Sequence, residues 1–221
     1  MAGTRPYRST LRQEHAQQTT RRILEAAAGV FSARGYASAS LADIAAAAGV
    51  SVESVKVHGP KRALLLAAFE LSFGGEAGES SLTERPEIAA IAALDDPYEL
   101  LARLVAFIAA ANARTGGLWS TFTAASRDDD AVRIAYTELL GRRHADYLSM
   151  VSLLGERGIA SIAPLSPAGR RELADALSFV MSPEGHQQLI GESGWSFERY
   201  AEWLHATVRT LITEAGAAPT G

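Results

Sequence analysis

Apolar residues in the first third of the chain recur at helical spacing. From Thr19 to Arg34, Ile23, Ala26, Ala27, Val30 and Phe31 fall three or four positions apart and make one apolar stripe. Gly35 follows where a left-handed residue would close that helix. Ser40 precedes LADIAAAA with Asp43 three positions on, which predicts a capping box and a second helix ending at Gly49. Ser51 is placed to cap a third, short helix over about residues 52–58, closed by Gly59-Pro60. A fourth helix is expected from Lys61 to Phe73, with Leu64, Leu65, Ala68 and Phe69 turned inward.

The pattern continues beyond a Gly/Ser/Glu/Pro-rich stretch, residues 74–86, which reads as a loop. Asp95-Asp96-Pro97 opens a long apolar helix to about Arg114, and Gly116-Gly117 is expected to separate it from LWSTFTAAS. Asp128, Asp129 and Asp130 start another helix ending near Gly155, their charge complementing its dipole rather than binding a metal. Ser166-Pro167 and Ser182-Pro183 each pair an N-cap with a proline at the first helical position, and Ser196 opens a last helix to about Thr213. The expected fold class is all-α, with a small N-terminal helical domain and a larger helical domain behind it.

Composition narrows the setting. The 221 residues are 48% hydrophobic, enough for a substantial core, and include no cysteine, so thiolate metal sites and disulfides are excluded. The first residues lack an apolar leader segment and no run has the length of a membrane span, so a cytoplasmic protein without membrane attachment is expected. Charge is uneven. Residues 1–62 carry nine Lys/Arg against four acids, or +5, while residues 63–221 carry 12 against 21, or −9. A basic head on an acidic body points to a polyanion partner for the head; chance clustering with a basic tail is the alternative. The chain's two lysines, Lys56 and Lys61, both lie in this head. Two short helices joined by a tight turn at Gly49 have the spacing of a helix-turn-helix, although an ordinary helical hairpin shares that periodicity.

The first-helix Ala27-x-x-x-Phe31, Arg34-Gly35-Tyr36, Leu41-x-Asp43-Ile44-Ala45, Ala45-x-x-Ala48-Gly49-Val50-Ser51 and Lys61 with Ala63-Leu64-Leu65 follow in order across residues 19–70. Together they resemble the DNA-binding domain of the TetR family of transcriptional regulators. The resemblance implies a flexible basic arm over 1–18, a DNA-binding domain over 19–62, an effector-binding and dimerisation domain over 63–215 and a flexible tail over 216–221. It implies a recognition helix beginning with Ser51, Val52, Glu53 and Ser54 and ending with Lys56, Val57 and His58. Ser40 and Lys61 would meet phosphates, and Arg21 and Arg22 would lie near the DNA backbone. The sequence departs from many relatives where aromatic residues would stand, at Lys56 and Val57, and Gly59 directly follows His58. Lys56 is therefore open to a phosphate or a guanine edge.

In the second domain, Trp119, Phe122, Tyr136, His144, Tyr147, Met150 and Phe179 are candidates for an apolar effector pocket, with ordinary core packing the alternative. The resemblance implies a homodimer built on the last long helices, with Leu177, Val180, Leu189, Trp203, Leu204, Val208 and Leu211 at the interface. The five histidines form no HExxH pair, and GxSxG, Walker and strand-linked GxGxxG motifs are missing, so neither an enzyme nor a cofactor is expected. The expected protein is a regulator, a repressor before an activator, that binds a palindromic double-stranded operator and is released by a small-molecule effector. A helical enzyme or protein-interaction module is the alternative.

Overall fold

The computed structural model describes residues 5–75, 77 and 85–216, with side chains described from residue 14 onward. The described residues form ten α-helices and one π-helical turn, with no strand among them. They group into two compact units, Met1–Gly78 with Gly117–Arg133, and Glu79–Gly116 with Ile134–Gly221.

The first unit holds α1 (Arg5–Ser38), α2 (Leu41–Ala48), α3 (Val52–Lys56) and α4 (Lys61–Gly74). Helix α1 starts well before the expected Thr19, so residues 5–18 are helical rather than a flexible arm. Pro6 sits in the first turn, where its missing N–H costs nothing, and no glycine or proline follows before Gly29. Residues 1–4 of the expected arm lie outside the described residues. Gly35 does break α1, but with φ 73° and ψ 169°, not the left-handed helical values expected. That region is essentially closed to residues with a Cβ.

The predicted caps of α2 and α3 are present. Ser40 and Asp43 form the capping box, and Gly49 closes α2 at φ 65° and ψ 40°, its N–H and that of Val50 taking up the last carbonyls. Ser51 caps α3 by accepting from the Ser54 N–H at 3.1 Å. Ile23, Phe31, Ile44, Val55, Leu64 and Leu65 are fully buried and fasten these helices to one another. Each such side chain contributes about 1.5–3 kcal/mol by leaving water.

Helix α4 belongs to this unit, so the compact head runs past the expected boundary at Arg62. The reason is Phe69, which packs on Trp119 at 5.5 Å and Phe122 at 6.4 Å, ring centre to ring centre. Those two rings come from α6 (Pro97–Asp128), a single helix that runs straight through Gly116-Gly117. The expected break is absent because these glycines serve packing. A Cβ on Gly117 would lie 3.1 Å from the Ser32 side chain of α1, and nearby Thr121 donates to the Phe31 carbonyl at 3.0 Å.

The second unit takes the first part of α6 and all but the first turn of α7 (Asp130–Glu156), with α5 (Pro86–Ala92), α8 (Pro167–Val180), α9 (Pro183–His186), a π-helical turn (Gln187–Glu192) and α10 (Phe197–Ala215). Helix α5 begins at Pro86, where the expected loop ends, in a stretch for which the sequence predicted no element. Its last carbonyl, at Ala92, accepts from Arg157 at 2.9 Å, a partner 65 positions away. Asp129 accepts from the N–H groups of Ala131 and Val132, which is the predicted use of an acid at the start of α7. Ser166, Ser182 and Ser196 cap α8, α9 and α10 as expected. Tyr200, Leu204, Val208 and Ile212 make the buried stripe of α10, and α10 packs on α8. No helix among the described residues is long and apolar enough to cross a membrane.

Candidate nucleic-acid interface

The surface in question is built from the start of α2 and the whole of α3. Ser40 is exposed, but its hydroxyl proton is engaged: Oγ donates to Asp43 Oδ2 at 2.6 Å while accepting from the Asp43 N–H at 3.1 Å. Asp43 also meets Arg34 Nη1 at 2.6 Å. The Ser40 hydrogen bonds, then the Arg34 charge, hold the Asp43 carboxyl below its ordinary range. Arg34 is thus part of this corner, which its place in the Arg34-Gly35-Tyr36 motif does not reveal. Its positive charge offsets the carboxylate that would otherwise repel a phosphate.

On α3, Val55 is fully buried and fixes the helix's orientation on the head. Glu53 and Lys56 stand outward, joined Nζ to Oε1 at 2.7 Å, with Glu53 80% and Lys56 54% exposed. An exposed pair of this kind contributes at most about 1 kcal/mol, so Lys56 can exchange its carboxylate for a phosphate or a base edge at small cost. Ser51 and Ser54 share a 2.8 Å hydroxyl contact at the helix start. Val57 is 84% exposed, a large apolar side chain in water at the end of α3, while Val52 and His58 are half-buried.

Lys61 is placed differently from the expectation. Its ammonium donates to the carbonyls of Tyr36 at 2.8 Å, Ala39 at 3.1 Å and Ala37 at 3.5 Å, and lies 4.4 Å from the Tyr36 ring centre. An ammonium has three donors, and all three point at the head's own backbone. Lys61 therefore ties the start of α4 to the end of α1, where helix carbonyls lack partners. Arg21 is similarly occupied, donating to the Gly75 carbonyl at the end of α4 at 3.0 Å. Arg22 is exposed.

Residues 23–68 match the model of the bacterial regulatory proteins of the tetR family. The chain carries a tetR-family DNA-binding head. No curated protein sequence matches the chain. Solved structures of similar fold include a candidate transcriptional regulator from Pseudomonas aeruginosa PAO1, at TM-score 0.62 and 20% identity, covering 91% of this chain and 93% of that one. A candidate regulator from Saccharomonospora viridis, solved in complex with choline, aligns at TM-score 0.62 and 23% identity over 87% of this chain and 96% of its own. The fatty acid degradation regulator FadR from Bacillus halodurans aligns at TM-score 0.61 and 16% identity over 87% and 97%. At these identities the likeness is one of fold: an all-α chain with a tetR head at its amino end.

Behind the tetR head, the residues expected to line an effector pocket do not share one place. Trp119 and Phe122 are core residues of the first unit. In the second unit Tyr147 and Met150 are buried, and burial raises the Tyr147 hydroxyl to about 12 against the opposing pull of Arg143. His144 Nδ1 meets the Asp175 carboxylate at 3.0 Å on the surface, Tyr136 is half-buried and Phe179 is 80% exposed. Of the residues expected between subunits, Leu177, Leu204 and Val208 are completely buried inside the unit and have no surface left for a partner. Val180, Leu189, Trp203 and Leu211 retain partial exposure.

Proposed function

We propose that this tetR-family protein is a homodimeric repressor that binds a palindromic operator and is released from it by a small-molecule effector. The observation that carries the reading is the outward face of α3. A capped helix start at Ser51, a loosely paired Lys56 and a solvent-exposed Val57 sit on a helix anchored by one buried valine. Those are the parts a recognition helix uses: polar groups and a cation for phosphates and base edges, and a methyl surface for thymine. The half-buried Val52 and His58, with Glu53 and Ser54, belong to the same short helix and its end, and the exposed Ser40 and Arg22 would serve as phosphate contacts, Ser40 by exchanging its bond to Asp43. Lys61 and Arg21 serve by holding α1 and α4 in position.

The dimer reading rests on Phe179, which a monomer would leave in water, together with the half-buried Val180, Leu189, Trp203 and Leu211. Two heads on a two-fold axis match two half-sites. The choline bound to the Saccharomonospora viridis protein supports a small-molecule ligand for this chain, which we assign to the second unit. By linkage, such an effector lowers operator affinity only as far as it prefers the DNA-incompetent form, and the operator weakens the effector equally. The chain would work in the cytoplasm.

Selection of bound sequences from random duplex DNA tests this reading, followed by fluorescence anisotropy on the recovered site. A palindrome is expected, and Lys56→Ala should weaken binding and flatten the salt dependence by about one unit of log-log slope. Recovery of no enriched sequence, or a Lys56→Ala protein with unaltered affinity and salt slope, would falsify it.

A further inference from the structure

Three polar side chains meet inside the second unit with hydrogen-bonding capacity to spare. Asn112 of α6 and Tyr200 of α10 are completely buried, and His186 at the end of α9 is 9% exposed. The Asn112 amide donates to the Met181 carbonyl at 3.0 Å and reaches the Tyr200 hydroxyl at 3.5 Å. The Met181 carbonyl fixes which way the amide points, because the flipped amide would set two acceptors against each other. Its Oδ1 is then buried without a donor, and His186 Nε2 is likewise buried without a partner. The His186 ring stands edge-on to Tyr200, ring centres 5.1 Å apart, so the two groups belong to one cluster.

Two partnerless buried polar atoms in one cluster are costly to a folded chain, and a protein retains them where something else completes the bonds. Their surroundings select the class of molecule. Burial, not a neighbouring charge, shifts His186 downward and is the main cause of the upward shift at Tyr200. Asn112, Tyr200 and His186 are all nine-tenths or more buried, so a charged ligand would be stripped of its water against an amide, a phenol and an imidazole. Asn112 Oδ1 can only accept, and a neutral imidazole and a phenol can each give or take one proton. Gly116 of α6 puts no side chain beside the imidazole, since a Cβ there would lie 4.0 Å from His186 Nδ1. A π-helical turn starts directly after His186, a geometry concentrated at functional sites.

We propose that Asn112, His186 and Tyr200 form the polar end of a small-molecule site in the second unit, which takes an uncharged ligand by its hydroxyl group. The hydroxyl donates to Asn112 Oδ1 and accepts from the imidazole or the Tyr200 hydroxyl, while the ligand's apolar body faces the unit's core. This deepens the effector half of the proposed function and rests on it, but it does not need the DNA-binding half.

Phenol is the probe, and toluene, of nearly the same shape without a donor, is its control. Calorimetric titration and thermal unfolding of the full chain should show saturable phenol binding, a rise in Tm, and at least tenfold weaker binding of toluene. His186→Phe and Tyr200→Phe each keep the ring and remove the polar atom. Both should weaken phenol roughly tenfold, and His186→Phe should leave the Tm of the free protein at or above that of the parent. Absence of saturable phenol binding, equal binding of toluene, or undiminished phenol affinity in both variants overturns the site and leaves an internal water as the cluster's partner. Operator binding is read on the same samples. Loss of DNA binding with phenol binding intact defeats the regulator reading alone, and the reverse defeats this site alone.

Discussion

Lys61 shows how far a residue's chemistry depends on neighbours distant in sequence. Beside Lys56 and His58 it looked like one of two cations offered to DNA, yet its acceptors are the carbonyls of Tyr36 and Ala39, 25 and 22 positions earlier. Nothing in the spacing of the motif reveals such a partnership. Lys61→Met should therefore destabilise the head, by roughly 2 kcal/mol, because three carbonyls lose charge-assisted bonds. Chemical denaturation reads that loss directly; a residue that served only DNA would leave stability unchanged. His186 makes a second prediction. Its ordinary value is 6.5, and burial lowers it in the folded chain. A lowered base is protonated more readily when unfolded, so its contribution to stability is whole above 6.5 and is lost as pH falls through the folded value. The Tm should fall as pH drops below 6.5, and His186→Phe should flatten that fall. An equal fall in the variant would assign acid sensitivity to the carboxylates instead.

Helix ends were legible where the capping group is local. Ser40 with Asp43, Ser51, Gly49 and the Ser-Pro pairs each act within a few residues, and each appears in its expected role. Ends decided by tertiary contacts were not legible. Helix α5 is held by Arg157 from far along the chain, and α6 passes through two glycines because α1 lies against one of them. Glycine in a helix costs about 1 kcal/mol relative to alanine unless a neighbour needs the space. A pair of substitutions separates the two cases. A Cβ at Gly141 of α7 meets nothing within 4 Å, so Gly141→Ala should stabilise by about 0.5–1 kcal/mol. Gly117→Val should destabilise, because its Cβ would already press on Ser32 at 3.1 Å and the added methyls have no room. Urea midpoints that moved the same way for both would mean that α6 and α1 do not pack as described.

At the scale of the whole molecule, α8 and α10 leave the large apolar side chains of Phe179 and Phe197 exposed. The buried stripe of α10 completes the unit's own core, so several residues expected between subunits are already used. Phe179, assigned from sequence to a pocket, is instead the most exposed large apolar residue among the described residues of the second unit. A helical period places residues on faces but does not say which face meets its own chain and which meets a copy. If Phe179 lies between subunits, Phe179→Asp should bring two carboxylates to a two-fold interface and separate the protomers, visible as a halved mass in sedimentation. Phe179 is exposed and lies outside the unit that holds the head, so the helix content of the variant should persist. Operator affinity should then fall by a factor on the order of 100 or more. A lone head binds one half-site, whereas a head tethered to its partner binds the second half-site at a high effective concentration. A Phe179→Asp protein that remained dimeric would move the interface elsewhere. One that became monomeric with full operator affinity would refute paired half-sites.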